Sequence, residues 1–208
     1  MLLRENTVKQ FTEILASDAP APGGGSVAAL NGALAAALLH MAGELTLGKE
    51  KYSEFHAEMR EIANNAKVQL NKLLMGIDED TEAFNKVSAV FSMPKETPEE
   101  KEARSAAMQA ALKGAALTPL ETMKSAFEIL QLAEQAHGKT NTSCISDFGT
   151  AVLCAIAAVR AAWLNVKINL SGIKDGDFRE KTGTEGQKIL ETSEKLAEEL
   201  YGRVEQGM

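Results

Sequence analysis

The sequence predicts an all-α fold, a long-helix up-and-down bundle of about six or seven helices, on three observations. Apolar residues return at intervals of three and four along nearly every segment and almost nowhere at intervals of two. Aromatics make up only 5% of the 208 residues while alanine is abundant. A core of small and aliphatic side chains suits helices at close range better than a β-sandwich, which draws on β-branched and aromatic residues. Finally, no long linker, low-complexity tract or internal repeat divides the chain, so residues 1–208 read as a single domain.

The elements follow in order. A short first helix is predicted over Thr7 to Ser17. The run Ala19-Pro-Ala-Pro-Gly-Gly-Gly25 is the strongest punctuation in the chain, and Ser26 is placed to cap a second helix, Val27 to about Leu47, ended by Gly48. Ser53 is placed to cap a long third helix reaching Phe91, where Met93-Pro94 stops it. Thr97-Pro98-Glu99-Glu100 combines a capping box with proline at the first helical position and opens a fourth helix to about Ala136. Pro119 marks a kink or break in it. After a polar loop from Gly138 to Ser143, a fifth helix spans Ser146 to Leu170, and the charged tail from Asp177 is amphipathic and helical.

Charge and composition exclude several function classes. A net charge of −7 argues against a nucleic-acid surface, which needs clustered Lys and Arg. Cys144 and Cys154 form neither a disulfide framework nor a metal-ligand spacing, and His40, His56 and His137 are scattered, so no metal site is expected. The N-terminus lacks the pattern of a signal peptide, so a cytoplasmic location is expected. Val27 to Ala42 is the one candidate membrane segment, too short and too rich in alanine to span comfortably, and interrupted by Asn31 and His40. It reads as a core or dimer-interface helix.

The most informative feature lies on the third helix. Met59, Ala63, Ala66, Leu70, Leu73, Ile77, Asp80, Phe84, Val87 and Phe91 step by fours and threes and trace one packing stripe. Asp80 alone is polar; its neighbours Asp78, Glu79 and Glu82 read as a solvated face. A carboxyl in such a seam is desolvated, which raises its pKa, and it needs either a partner or a task. Capping or hydrogen bonding to a neighbouring helix is the structural alternative. If helices two and three form an antiparallel hairpin, Ser26 is level with about residue 74, and Asp80 lies roughly 9 Å beyond it, beside the glycine loop. A glycine loop at a helix N-terminus offers bare N–H groups to an oxyanion or ring amide, although a tight turn explains it as well.

The fifth helix adds Asp147, Asn165 and Asn169 on or beside one face. Asp147 serves equally as a dipole partner or cap, and the asparagines equally as register-fixing groups or ligand contacts. Asp147 and Asn165 are about 27 Å apart on a continuous helix, so they cannot both touch one small group. Ser26 and Lys49 likewise occupy opposite ends of helix two. Either some of these residues are structural, or a second subunit brings the far ends together.

Pro22-Gly-Gly-Gly-Ser26-Val-Ala-Ala-Leu30, Thr46-Leu-Gly-Lys49, Asp80-Thr-Glu-Ala-Phe84, Asn141, Ser146-Asp147 and Asn165-Val-Lys-Ile-Asn169-Leu170 stand in a specific order and spacing. In that order the chain resembles the formiminotetrahydrofolate cyclodeaminase / methenyltetrahydrofolate cyclohydrolase family, from about Thr7 to past Asp177. The resemblance implies an all-α homodimer that binds folate in a groove lined by these motifs, with Asp80 catalytic. It carries substrate-binding roles onto Gly24, Gly25, Ser26, Lys49, Asn141, Ser146, Asp147, Asn165 and Asn169, with Lys49 the natural cation for the glutamate tail. No metal and no cofactor beyond the tetrahydrofolate substrate is implied, and neither nucleic acid nor membrane is an expected partner. No transferase domain precedes the motifs here, which turns the expectation toward a stand-alone cyclohydrolase. The cyclodeaminase is the alternative, and a helical interaction protein without chemistry is a third reading.

Overall fold

The computed structural model of the protein describes residues 2–208, and no strand occurs among them. Six α-helices follow one another: α1 Val8–Leu15, α2 Gly24–Leu47, α3 His56–Phe91, α4 Pro98–Ala136, α5 Ile145–Ser171 and α6 Gly176–Gln206. Short 3₁₀ turns cover Leu3–Glu5, Glu50–Phe55 and Thr142–Cys144. Helices α2, α3, α4 and α5 close a ring in which each packs on the next, and α6 lies across α5 and α4.

Local chemistry sets most of the boundaries. Thr7 and Thr97 both form capping boxes, with Gln10 and Glu100 respectively, and Asp175 caps α6 through Phe178 N–H. Two expected caps do not form. Helix α2 starts at Gly24, three residues before Val27, so Ser26 falls inside its first turn and its hydroxyl turns to α3 instead. Ser53 sits within the 3₁₀ turn, and α3 begins three residues later with no side-chain cap. Pro119 does not break α4, which runs unbroken through it.

The core is aliphatic and small, as the composition predicts. Ala28, Ala29, Ala35, Ala36 and Ala42 of α2 are fully buried and let its neighbours approach closely. At Gly43 a Cβ would stand 2.8 Å from that of Ala63, so the crossing of α2 and α3 requires glycine there. Leu39, Met59, Leu73, Leu120, Met123 and Leu200 fill the interior, each contributing about 1.5–3 kcal/mol relative to an exposed position.

Three expectations need correction. The stripe on α3 is buried only up to Ile77; Phe84 is 40% and Phe91 65% exposed, because α2 begins level with Asp80 and nothing of it covers α3 beyond that height. Asp78 is not on a solvated face. It is buried, pairs with Arg4 at 2.8 Å and accepts the Leu3 N–H, which ties the N-terminal turn to α3. The apolar run of α2 is also not alone: the 24 residues of α2 and the segment Thr142–Ser171 are each long and apolar enough to cross a membrane by length and composition. Both pack into the bundle along an alanine-rich face and leave an apolar stripe uncovered.

Candidate active site

Asp80 projects from α3 onto the first turn of α2, beside the glycine loop as expected. It is level with Gly25 and in contact with Ser26, not roughly 9 Å beyond it, because the 3₁₀ turn Glu50–Phe55 shifts the register of the hairpin. A Cβ built on Gly25 would fall 1.9 Å from Asp80 Oδ1, so the carboxyl occupies the volume a side chain would take. Ser26 is fully buried, and its Oγ lies 3.0 Å from Asp80 Oδ2 and 3.0 Å from the Ile77 carbonyl. One hydroxyl proton serves one of these acceptors at a time. The buried Ser26 hydroxyl thus faces α3, within hydrogen-bond distance of Asp80.

Burial raises the Asp80 pKa, and hydrogen bonds from the Ser26 side chain and backbone oppose the rise without cancelling it. No charged side chain contributes to the shift. The structural and chemical alternatives thus coincide in one residue: Asp80 accepts from the N-terminal turn of α2 and is also an acid held toward its protonated form.

Asp80, Gly23, Gly24 and Gly25 line a cleft of about 350 Å³ with Phe84 and Val87 of α3 on one wall. Asn165, Ile168 and Asn169 of α5 form the other, with Ala115 of α4 beside them. Asn165 Nδ2 donates to Ala161 O at 2.9 Å. Asn169 Nδ2 donates to Asn165 O at 2.9 Å and to Ala115 O at 3.0 Å. The second bond has a specific origin. Pro119 lacks the N–H that Ala115 O would otherwise accept one turn on, and Asn169 replaces it. With both amide nitrogens so engaged, the Oδ1 atoms of Asn165 and Asn169 are acceptors available to the cleft. The first turn of α2 adds backbone N–H groups and the positive end of a helix dipole.

Lys49, Asn141, Ser146 and Asp147 do not join this cleft. They gather at the other end of α2, about 35 Å from Ser26 at the α-helical rise. Asn141 is buried and fully employed there: its N–H donates to Thr46 Oγ1 at 2.8 Å, its Nδ2 to Leu45 O, and its Oδ1 accepts from Ser143. Ser146 and Lys49 are exposed, and Asp147 is half-buried in the first turn of α5. Among the described residues no three His, Cys, Asp or Glu side chains meet as a metal-holding group. The sequence reading missed Ala115 and Ile168, which carry no polar signal and become wall residues only through the register of α4 and α5.

Residues 7–188 match the family model described as formiminotransferase-cyclodeaminase. The chain is 41% identical over 198 residues to methenyltetrahydrofolate cyclohydrolase of Methylorubrum extorquens, covering 95% of each chain. It is 32% identical over 206 residues to formimidoyltransferase-cyclodeaminase of Rattus norvegicus, spanning 98% of this chain but 38% of that one. The crystal structure of formiminotetrahydrofolate cyclodeaminase from Thermotoga maritima matches with a TM-score of 0.82 at 29% identity, over 99% of this chain and 96% of that chain.

Proposed function

The chain belongs to the formiminotransferase-cyclodeaminase family, and on that premise we propose that it is a methenyltetrahydrofolate cyclohydrolase with Asp80 as its acid/base. The observation that carries this is a half-buried carboxyl that pairs with no cation among the described residues, set at a helix N-terminus in a cleft. The 41% identity to a cyclohydrolase over nearly its whole length favours hydrolysis over deamination.

Water adds to the cationic methenyl carbon and gives its proton to ionised Asp80. The tetrahedral adduct then opens: the N5–carbon bond breaks, Asp80 returns the proton to N5, and the adduct hydroxyl releases its own proton to solvent. The product is 10-formyltetrahydrofolate. Burial keeps the Asp80 carboxyl basic enough to accept a proton and close enough to neutrality to return it. The N–H groups of Gly24 and Gly25 face the oxygen that becomes the formyl group. The Oδ1 atoms of Asn165 and Asn169 accept from ring N–H groups of the pterin. The methenyl carbon is already electrophilic, so these steps draw on no other cofactor.

The curated cyclodeaminase relatives support a second reading on the same residues. There N10 attacks the N5-formimino carbon, Asp80 takes the N10 proton and passes it to the departing ammonia. Assay of the purified protein on both folates separates the two, because methenyltetrahydrofolate absorbs in the near ultraviolet. Loss of that absorbance supports the cyclohydrolase, and its appearance from formiminotetrahydrofolate with no hydrolysis supports the alternative. In either assay Asp80→Asn should lower turnover by about two to four orders of magnitude. A rate within about threefold of the parent, far short of that range, removes Asp80 from the mechanism.

A homodimer is part of the same proposal. Leu34, Met41 and Leu45 on α2, and Leu153, Leu164 and Ile168 on α5, are 36–71% exposed. They form one apolar face of two helices that pack side by side. A two-fold axis across this face makes the paired helices antiparallel and brings the Lys49–Asp147 end of one copy toward the Asp80 cleft of the other. A fully active monomer in sedimentation at micromolar concentration overturns it.

A further inference from the structure

Thr81 follows Asp80 in the motif Asp80-Thr-Glu-Ala-Phe84, and the acid/base chemistry leaves it without a part. Its hydroxyl is placed unlike those of threonines elsewhere in the bundle. Thr46, Thr118, Thr150 and Thr192 each donate to the carbonyl four residues earlier, which is how a threonine inside a helix ordinarily satisfies itself. For Thr81 that carbonyl is Ile77 O, and Ser26 Oγ of α2 already stands 3.0 Å from it. Thr81 Oγ1 lies instead 3.3 Å from Ser26 Oγ, its one hydrogen-bond partner among the described residues.

Three oxygens therefore surround one hydroxyl. Ser26 Oγ is 3.0 Å from Asp80 Oδ2, 3.0 Å from Ile77 O and 3.3 Å from Thr81 Oγ1. Ser26 is fully buried, and its hydroxyl has one proton to give and lone pairs to fill. Ile77 O already accepts the Thr81 N–H in the ladder of α3, which runs unbroken from His56 to Phe91. An ionised carboxylate is the stronger acceptor of the two. Thr81 is half-buried, and donation to Ser26 Oγ is the one use of its proton inside the protein. That donation fills a Ser26 lone pair, bars Ser26 from giving its proton to Thr81, and strengthens the bond that Ser26 makes onward.

We propose that Thr81 is a positioning residue for Asp80: its hydroxyl donates to Ser26 Oγ and so commits the Ser26 proton to Asp80 Oδ2 whenever the carboxyl is ionised. This deepens the reading of Asp80 as the acid/base of folate turnover and rests on it. Once Asp80 takes up a proton its demand on Ser26 falls, and Ile77 O, at the same distance, receives the Ser26 proton instead. One array of hydroxyls thus serves both charge states between which the reaction alternates. No charged side chain joins Asp80 in the cleft among the described residues. Helix α2 bears no titratable residue before His40, about 21 Å from Ser26 at the α-helical rise, and Asp18 in the preceding loop is exposed. On α3, Asp78 is paired with Arg4, while Glu79 and Glu82 line a groove against α4 with Lys86. Lys113 of α4 is bound to Asp175, and Lys167 of α5 lies over the Trp163 ring.

The test uses Thr81→Val and Thr81→Ala, which both remove the hydroxyl, beside Thr81→Ser, which keeps it. The Asp80 carboxyl is titrated directly in each ligand-free protein by carbon-13 NMR of labelled aspartate, with Asp80→Asn assigning the signal. Its midpoint should rise by roughly 0.4 to 1 in Thr81→Val and Thr81→Ala, as loss of one ordinary hydrogen bond from the ionised state predicts. Below the acidic limb, kcat/KM for methenyltetrahydrofolate should fall about threefold to tenfold, the same change read as a rate. Above the limb the loss should be smaller. Thr81→Ser should restore both readings. In the Ser26→Ala background, Thr81→Val should raise the midpoint no further, because Thr81 acts through Ser26 alone. A midpoint that stays in place when the hydroxyl is removed, or rises as far without Ser26, overturns the proposal while the parent's turnover still upholds the folate reading. A kcat/KM lowered by one factor at every pH also overturns it, as the mark of a distorted helix. A parent that turns over neither folate overturns the folate reading and, with it, the part of Thr81 in turnover.

Discussion

Gly25 gives its side-chain volume to Asp80: a Cβ at Gly25 would lie 1.9 Å from Asp80 Oδ1 and 2.5 Å from its Cγ. Neither distance is tolerable, so the carboxyl holds its position only because residue 25 is glycine. Gly25→Ala should therefore expel Asp80 from the turn. Alanine gains helix propensity over glycine, up to about 1 kcal/mol, so the fold should survive. Turnover should fall by about two orders of magnitude or more, as for displacement of a general acid/base. Gly202→Ala on α6 is the control, since a Cβ there meets nothing within 4 Å and the residue lies outside the cleft. Steady-state kinetics of the two variants decide the matter. Equal rates would show that the Asp80 position is not tied to Gly25.

Ser26 should set where on the pH axis Asp80 works. Burial raises the Asp80 pKa and Ser26 lowers it, so removing the hydroxyl in Ser26→Ala raises it further. The attacking water needs ionised Asp80, hence the acidic limb of kcat/KM moves to higher pH in the variant. Above that limb the two enzymes should converge. A limb that stays in place would mean that the hydroxyl spends its proton on Ile77 O and not on the carboxyl.

Asp80→Asn also carries a stability signature with a definite sign. The folded-state pKa of Asp80 is raised, so the fold disfavours the ionised form. Below the unfolded value, about 3.9, Asp80 is protonated in both states and the variant should match the parent. As pH rises past that value toward the folded pKa, the parent loses stability relative to the variant. Urea midpoints from about pH 4 upward should therefore separate, with Asp80→Asn the more stable at neutrality. A variant less stable at every pH would make Asp80 chiefly a structural acceptor for the first turn of α2.

Much of the architecture and half of the site were legible because they depend on local chemistry and helix arithmetic. The capping box at Thr97 is written in four consecutive residues, and counting outward from one hairpin turn puts Asp80 near the glycine loop, although the 3₁₀ turn Glu50–Phe55 shifts its register into direct contact with Gly25 and Ser26. What was not legible depends on elements remote in sequence. Asp78 reads as solvated until Arg4, 74 residues earlier, is seen to cover it. Ser26 reads as a cap because Ser at that place usually is one, whereas its burial follows from how far α2 extends toward Pro22. Lys49 and Asp147 were legibly distant from Asp80, and that distance is why a second copy enters the proposal.

A side-chain bond from Asn169 to Ala115 O accompanies the proline inside α4. Asn169→Ala removes the Nδ2 donor to Ala115 O, and Pro119 leaves that carbonyl with no N–H one turn on. An unsatisfied carbonyl in a packed site costs about 1–3 kcal/mol, so the single variant should be destabilised by that order. Pro119→Ala restores the N–H and also relieves the ring's clash with the same carbonyl, which should stabilise α4. In the double variant the loss caused by Asn169→Ala should shrink, because the backbone N–H restored by Pro119→Ala supplies the donor. The two changes therefore couple, and a double-mutant cycle in urea measures the coupling. Strict additivity would mean that the Asn169–Ala115 contact contributes nothing beyond packing. Kinetics on the rescued double variant then read the other half of the side chain. If turnover or KM remains impaired once stability is restored, Asn169 Oδ1 is contacting substrate, and if both return to parental values the residue serves only to join α5 to α4.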